Sequence, residues 1–262
     1  MTPPATALVP PWSPSADLPG DHTAYDSMSG PGFLPLRQLV LVDLLSMMLA
    51  VRPGERAVIA IDGVDGAGKS HLAAELVSLA PHVAGREVHR VSIDGFHHPR
   101  AVRVARGTGP DTFYRDSYDY DAFRERVLGP FRGGREFVPA VHDVVSDEPV
   151  FPDPVEASDD AVLLVDGIFL RRPELAGEWD ASLMLLVPLA VSVPRGNARF
   201  PDRPAGTDDP AHPANQRYVG GQRLYLQQAR VHPPTWILDN TDLQRPALLE
   251  PDPEEPQWLD LP

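Results

Sequence analysis

No cysteine occurs among the 262 residues. Disulfides, thiolate metal sites and thiol nucleophiles are therefore excluded, and the composition fits a cytoplasmic protein. Lysine is nearly as scarce: of 23 basic residues only Lys69 is a lysine, and the rest are arginine. A lone ammonium in such a chain marks a place where a compact, flexible point charge is needed and a planar guanidinium does not substitute. Positive charge is short overall, and 37 acidic residues leave a net charge of −14 at pH 7. That balance argues against a nucleic-acid or anionic-membrane partner, so a bound anion must be held by a local device. Long apolar runs are absent too. The most apolar stretch, FLPLRQLVLVDLLSMMLAV over 33–51, carries Arg37, Gln38 and Asp43 and is short for a membrane span. It is expected to be a buried helix beside the core. No basic segment followed by an apolar run opens the chain, so no signal peptide is expected.

Proline is in excess. The 31 prolines are more than twice ordinary usage, and many crowd the two ends. Residues 1–32 and 246–262 read as extended or disordered tails around one α/β domain over 33–245. Within it, 57–62, 87–94, 161–167, 181–188 and 234–242 read as strands, and 69–80 as a helix with Leu72, Ala73, Leu76 and Leu79 on one face. Residues 119–131 start like a capped helix, 95–118 read as a long loop, and 196–214 as a mobile flap. Strands alternating with helices predict a doubly wound parallel sheet of five strands, an α/β fold.

The stretch GVDGAGKS matches G-x-x-x-x-G-K-[ST] at Gly63, Gly68, Lys69 and Ser70, with a strand before it and a helix after it. Glycines let successive backbone N–H groups turn inward around an anion, and the helix start adds its positive dipole end. Gly63, Asp65, Gly66, Ala67, Gly68, Lys69, Ser70 and His71 are the candidate nucleotide cradle. Lys69 is placed to reach the β and γ phosphates of ATP, and the Ser70 hydroxyl to ligate Mg²⁺. A GTPase-type Asn-Lys-x-Asp base reader is impossible, because the one lysine is already used. The third strand ends in LLVDGIF rather than the Asp-Glu of motor and transport ATPases. Asp94 closes the second strand at the carboxyl edge of the sheet, where it could orient an acceptor hydroxyl and take its proton, or simply cap a turn. Asp166 closes the third strand and could hold Mg²⁺, or form a structural Asp-Gly turn.

In order, GVDGAGKS, VSIDGFHHP, DSYDYDAF, LLVDGIF, QRYVGGQRLY and LDNTD resemble the uridine kinase/phosphoribulokinase family of P-loop kinases, most of all its bacterial uridine kinase-like branch. The resemblance spans 39–242 and implies a P-loop NTPase fold with an arginine-bearing lid, here near 195–217. It implies Asp94 as catalytic carboxylate with His97 facing the acceptor, Tyr118 and Asp119 gripping a ribose, and His142 near a nucleobase, although a lone histidine is more often packed or solvated. Arg195, Arg199 and Arg203 stand where the family's lid clamps the transferring phosphate, in a segment thinned and interrupted by Pro194. Asn240 is a candidate for the adenine pocket. The implied activity is transfer of phosphate from ATP-Mg²⁺ to the 5′-hydroxyl of a nucleoside, a small-molecule partner; a homo-oligomer stays open. Two rivals stand beside it: a kinase for another small alcohol such as pantothenate, a sugar phosphate or an antibiotic, and a non-catalytic ATP-binding protein.

Overall fold

The structure is a computed structural model that describes residues 35–83, 85–200, 202–229 and 232–250. The expected tail over 1–32 lies outside these residues, and of the one expected over 246–262 only 246–250 are described. The described residues open with α1 (Leu36–Leu49), whose Leu41, Leu44, Leu45 and Met48 are buried. The apolar face of α1 thus lies against the core, as the 33–51 pattern predicts. Next come β1 (Ala57–Gly63), α2 (Lys69–Leu79) and β2 (Val88–Ser92), which runs into a tight 3₁₀ turn, Ile93–Phe96. Two short helices follow, α3 (Arg100–Arg106) and α4 (Pro110–Asp116). The next helical stretch is α5 (Tyr120–Phe123), a π-turn at Arg124–Leu128, and α6 (Gly129–Arg132). A small hairpin, β3 (His142–Asp143) with β4 (Glu148–Pro149), precedes β5 (Val162–Asp166) and β6 (Ala181–Leu186). The chain then runs through α7 (Leu189–Asn197), α8 (Gln216–Gln228), β7 (Trp236–Asp239) and β8 (Ala247–Leu249).

The main sheet has six strands in the order β2-β5-β1-β6-β7-β8. The first five are parallel, and β8 pairs antiparallel with β7. β1 and β5 are buried at every residue, which explains their near-continuous apolar sequence: helices cover both faces of a parallel sheet. The parallel five-stranded expectation therefore holds for five strands and misses the sixth. β8 falls in the segment read as tail; three apolar residues between Pro246 and Pro251 carry no periodicity of their own. The loop expected over 95–118 is also corrected. α3 begins just after Pro99, its N-cap, and α4 begins at Pro110, whose ring pre-sets the first helical φ. α3 buries no residue, so it shows no apolar stripe to read.

The π-turn has a local cause. Pro130 has no N–H to offer the Arg126 carbonyl four residues back, and that oxygen accepts from Val138 N instead, at 2.9 Å. The 196–214 segment is organised by a buried polar knot. Asn197 and Asn215 side chains both donate to the Thr207 carbonyl, and Arg203 donates to Asn197 Oδ1.

Candidate active site

Parallel strands end their carboxyl tips on one edge of the sheet, and the chain reverses direction about β1, which has β5 on one side and β6 on the other. The crevice at such a switch point is where an open α/β sheet binds its ligand. The loop from β1 to α2 lies there. Gly66 and Gly68 take φ of 75° and 92°, the left-handed region. Space excludes a side chain as well: a Cβ on Gly66 would sit 1.9 Å from the Ser192 carbonyl oxygen of α7. No side chain caps the start of α2, so its first N–H groups and its dipole are left facing the crevice.

Lys69 is buried, with its ammonium donating to the Val64 carbonyl at 2.8 Å. Burial pushes its pKa down, against the pull of Asp65, Asp62, Asp94 and Asp166. Those four carboxylates come from the loop and from the ends of three neighbouring strands. Ser70 donates to Asp166 Oδ2 at 2.7 Å, and Arg90 Nε donates to Asp166 Oδ1 at 2.6 Å. A hydroxyl beside a carboxylate at a phosphate cradle suits Mg²⁺, which takes one or two protein oxygens and completes its octahedron with phosphate and water. Asp65 is fastened on three sides. Its N–H donates to the Gln222 side chain on α8; its carboxylate accepts from Gly66 N at 2.9 Å and from Arg199 at 2.6 Å. The Arg199 guanidinium holds the Asp65 carboxyl below the ordinary carboxylate value despite burial.

Across from Lys69 lies Asp94, its side chain 55% exposed on the 3₁₀ turn. His97 Nδ1–H donates to the Asp94 backbone oxygen at 2.9 Å, and the Tyr118 hydroxyl donates to Asp94 Oδ1 at 2.9 Å. Asp119 caps α5 through Ala122 N, and His142 donates to Asp147 Oδ1 at 3.1 Å. The structure thus brings Lys69, Ser70, Asp94 and Asp166 to one crevice, with His97 and Tyr118 behind Asp94. His142 sits in the β3–β4 hairpin, engaged with Asp147, and His71 lies exposed on the first turn of α2.

Arg195 donates to the backbone oxygens of Asn240 and Thr241, on the β7 side of the cradle. Asn240 is fully buried. Its amide donates to the Ala67 oxygen at 2.8 Å, and its own oxygen accepts from Arg37 of α1. Both ends of that side chain therefore tie elements together. Arg90 and Gln222 touch the site without having been singled out in the sequence; a lone arginine inside the strand VHRVS was the one available sign of the first.

Cradle, lysine and sheet together define the P-loop α/β fold. No protein-family model matches the sequence, and no curated protein matches it. Among solved structures, the chain is similar to a possible uridine kinase from Bacillus stearothermophilus, with a TM-score of 0.59 and 19% identity over 76% of this chain and 98% of that one. It is similar also to an inferred fructose transport system kinase from Silicibacter sp. TM1040, with a TM-score of 0.59 and 23% identity over 75% and 96% of the two chains. At these identities the likeness is one of fold.

Proposed function

We propose that this chain is an ATP-dependent small-molecule kinase that phosphorylates the 5′-hydroxyl of a nucleoside. The observation that carries the reading is the field around Lys69, in which a half-exposed carboxylate, Asp94, acts on the P-loop ammonium from the turn after β2, with β5 between it and β1. The cradle's N–H groups and Lys69 hold the triphosphate, and Lys69 neutralises charge that grows on the transferring group. Ser70 and Asp166 are the residues that would hold Mg²⁺, which would supply further neutralisation of phosphate charge. Asp94 aligns the acceptor hydroxyl in line with the γ phosphorus and takes its proton as the P–O bond forms. Arg199 pairs with Asp65 of the cradle and Arg195 donates to the Asn240 and Thr241 oxygens beside it, and both would add positive charge near the phosphates. His97, Asp119 and His142 border the acceptor side.

The test is ADP release from ATP-Mg²⁺ with a panel of nucleosides, run on the wild type and on Asp94→Asn. A nucleoside-dependent rate is expected, falling roughly 10²- to 10⁴-fold in the variant with ATP binding kept. Stimulation by a sugar phosphate or another alcohol instead of a nucleoside reassigns the acceptor. Tight ATP binding without acceptor-dependent ADP release supports the non-catalytic rival.

A further inference from the structure

We infer that Tyr118 is the positioning residue for the Asp94 carboxylate: its hydroxyl pins Oδ1 and leaves Oδ2 turned to the acceptor. The inference rests on the kinase reading above, and it assigns Tyr118 an action through Asp94 in place of a direct grip on the substrate.

Asp94 needs such a partner. Its backbone is held by its own turn, through Ser92 Oγ to Asp94 N and His97 Nδ1 to Asp94 O. Neither hydrogen bond reaches the carboxylate, which is more than half exposed and turns about two torsions; the His97 ring lies 3.9 Å from Oδ1, beyond hydrogen-bond distance. Among the described residues, the Tyr118 hydroxyl at 2.9 Å is the hydrogen bond on that carboxylate. The hydroxyl is itself fixed in place. Residues 96–98 pair with 117–119: His98 N donates to Ser117 O at 3.0 Å, Asp119 N donates to Phe96 O at 2.8 Å, and His97 bridges Tyr118. The Tyr118 ring is buried against His97, with ring centres 4.3 Å apart, and against Tyr120 and Phe169. Burial and the nearby Asp94 charge push the phenol well above its ordinary pKa, which favours the protonated, donating form. One carboxylate oxygen is thereby given a rigid donor. The other keeps its lone pairs for the acceptor hydroxyl, the geometry a general base requires.

The test is a double-mutant cycle with Tyr118→Phe, Asp94→Asn and the pair, measured with the acceptor that drives ADP release. Tyr118→Phe is expected to lower kcat roughly 10- to 100-fold, the worth of one hydrogen bond to a charged group, with both KM values within about threefold of wild type. In the Asp94→Asn background the same change is expected to cost less than about threefold, because the group it acts through is gone. A raised acceptor KM, or losses that multiply, overturns the inference in favour of direct substrate contact. A crystal structure of Tyr118→Phe gives a reading that needs no turnover. Asp94 is expected in more than one rotamer there, and an unmoved carboxylate overturns the inference. Absence of acceptor-dependent turnover in the wild type would instead strike the kinase reading and leave the crystallographic outcome to decide the role of Tyr118.

Discussion

At the scale of single residues, electrostatics of burial decide what each group near Asp94 can do. The His97 imidazole is held below its ordinary value of 6.5, chiefly by burial; Asp94 pulls it up, while Arg103 and His142 push it down further. A histidine kept neutral in the fold binds fewer protons than the unfolded chain once the pH falls below 6.5. Its contribution is therefore present above that pH and lost as the pH drops toward the folded value. Thermal melts at pH 7.5 and 5.5 are expected to show a larger fall in Tm for the wild type than for His97→Gln. The difference is expected to shrink without vanishing, because His98 is depressed by burial in the same way. Equal falls would show that His97 does not set the acid limb of stability.

At the scale of elements, α4 and α8 approach each other closely. Gly221 of α8 lies so near α4 that a Cβ would stand 2.6 Å from Phe113 Cδ1 and 2.8 Å from the Pro110 oxygen. Phe113 is flanked by Phe169 and Tyr218, so it has nowhere to swing. Gly221→Ala should gain helix propensity and still lose stability by about 1–3 kcal/mol through overpacking. Urea unfolding measures it, and a stabilised variant would mean that α4 shifts freely. α8 is also the element that reaches the cradle through Gln222 and Tyr225, so its seating and that of the P-loop are linked.

At the scale of the whole molecule, one buried charge group joins three distant segments. Asp62, the residue before the cradle, accepts from Gly63 N, from Arg171 Nε at 3.0 Å and from the Tyr225 hydroxyl. Arg171, from the turn after β5, also donates to the His232 oxygen that precedes β7. Both charged partners are essentially sealed from water. Arg171→Met would strand the Asp62 carboxylate in the interior, with an expected loss of about 3–5 kcal/mol. The double variant with Asp62→Asn should recover part of that loss in chemical denaturation. No recovery would show that the arginine acts through packing alone.

The lone lysine, the glycine spacing and the apolar strands were readable along the chain, because a P-loop is one contiguous segment and a doubly covered parallel strand is apolar at every position. Asp94 and Asp166 were readable for a related reason, since carboxylates that close such strands fall on one edge of any parallel sheet. Other features depend on contacts that no local pattern encodes. Tyr118 meets Asp94 through a pairing of 96–98 with 117–119, Arg90 meets Asp166 across two strands, and Arg37 meets Asn240 from opposite ends of the chain. β8 became a strand only because β7 offered it a free edge. Short-range spacing thus determined the cradle and the sheet, whereas tertiary packing alone decided which side chains hold the carboxylates in place, since such partners are chosen by distance in space and not by separation in sequence.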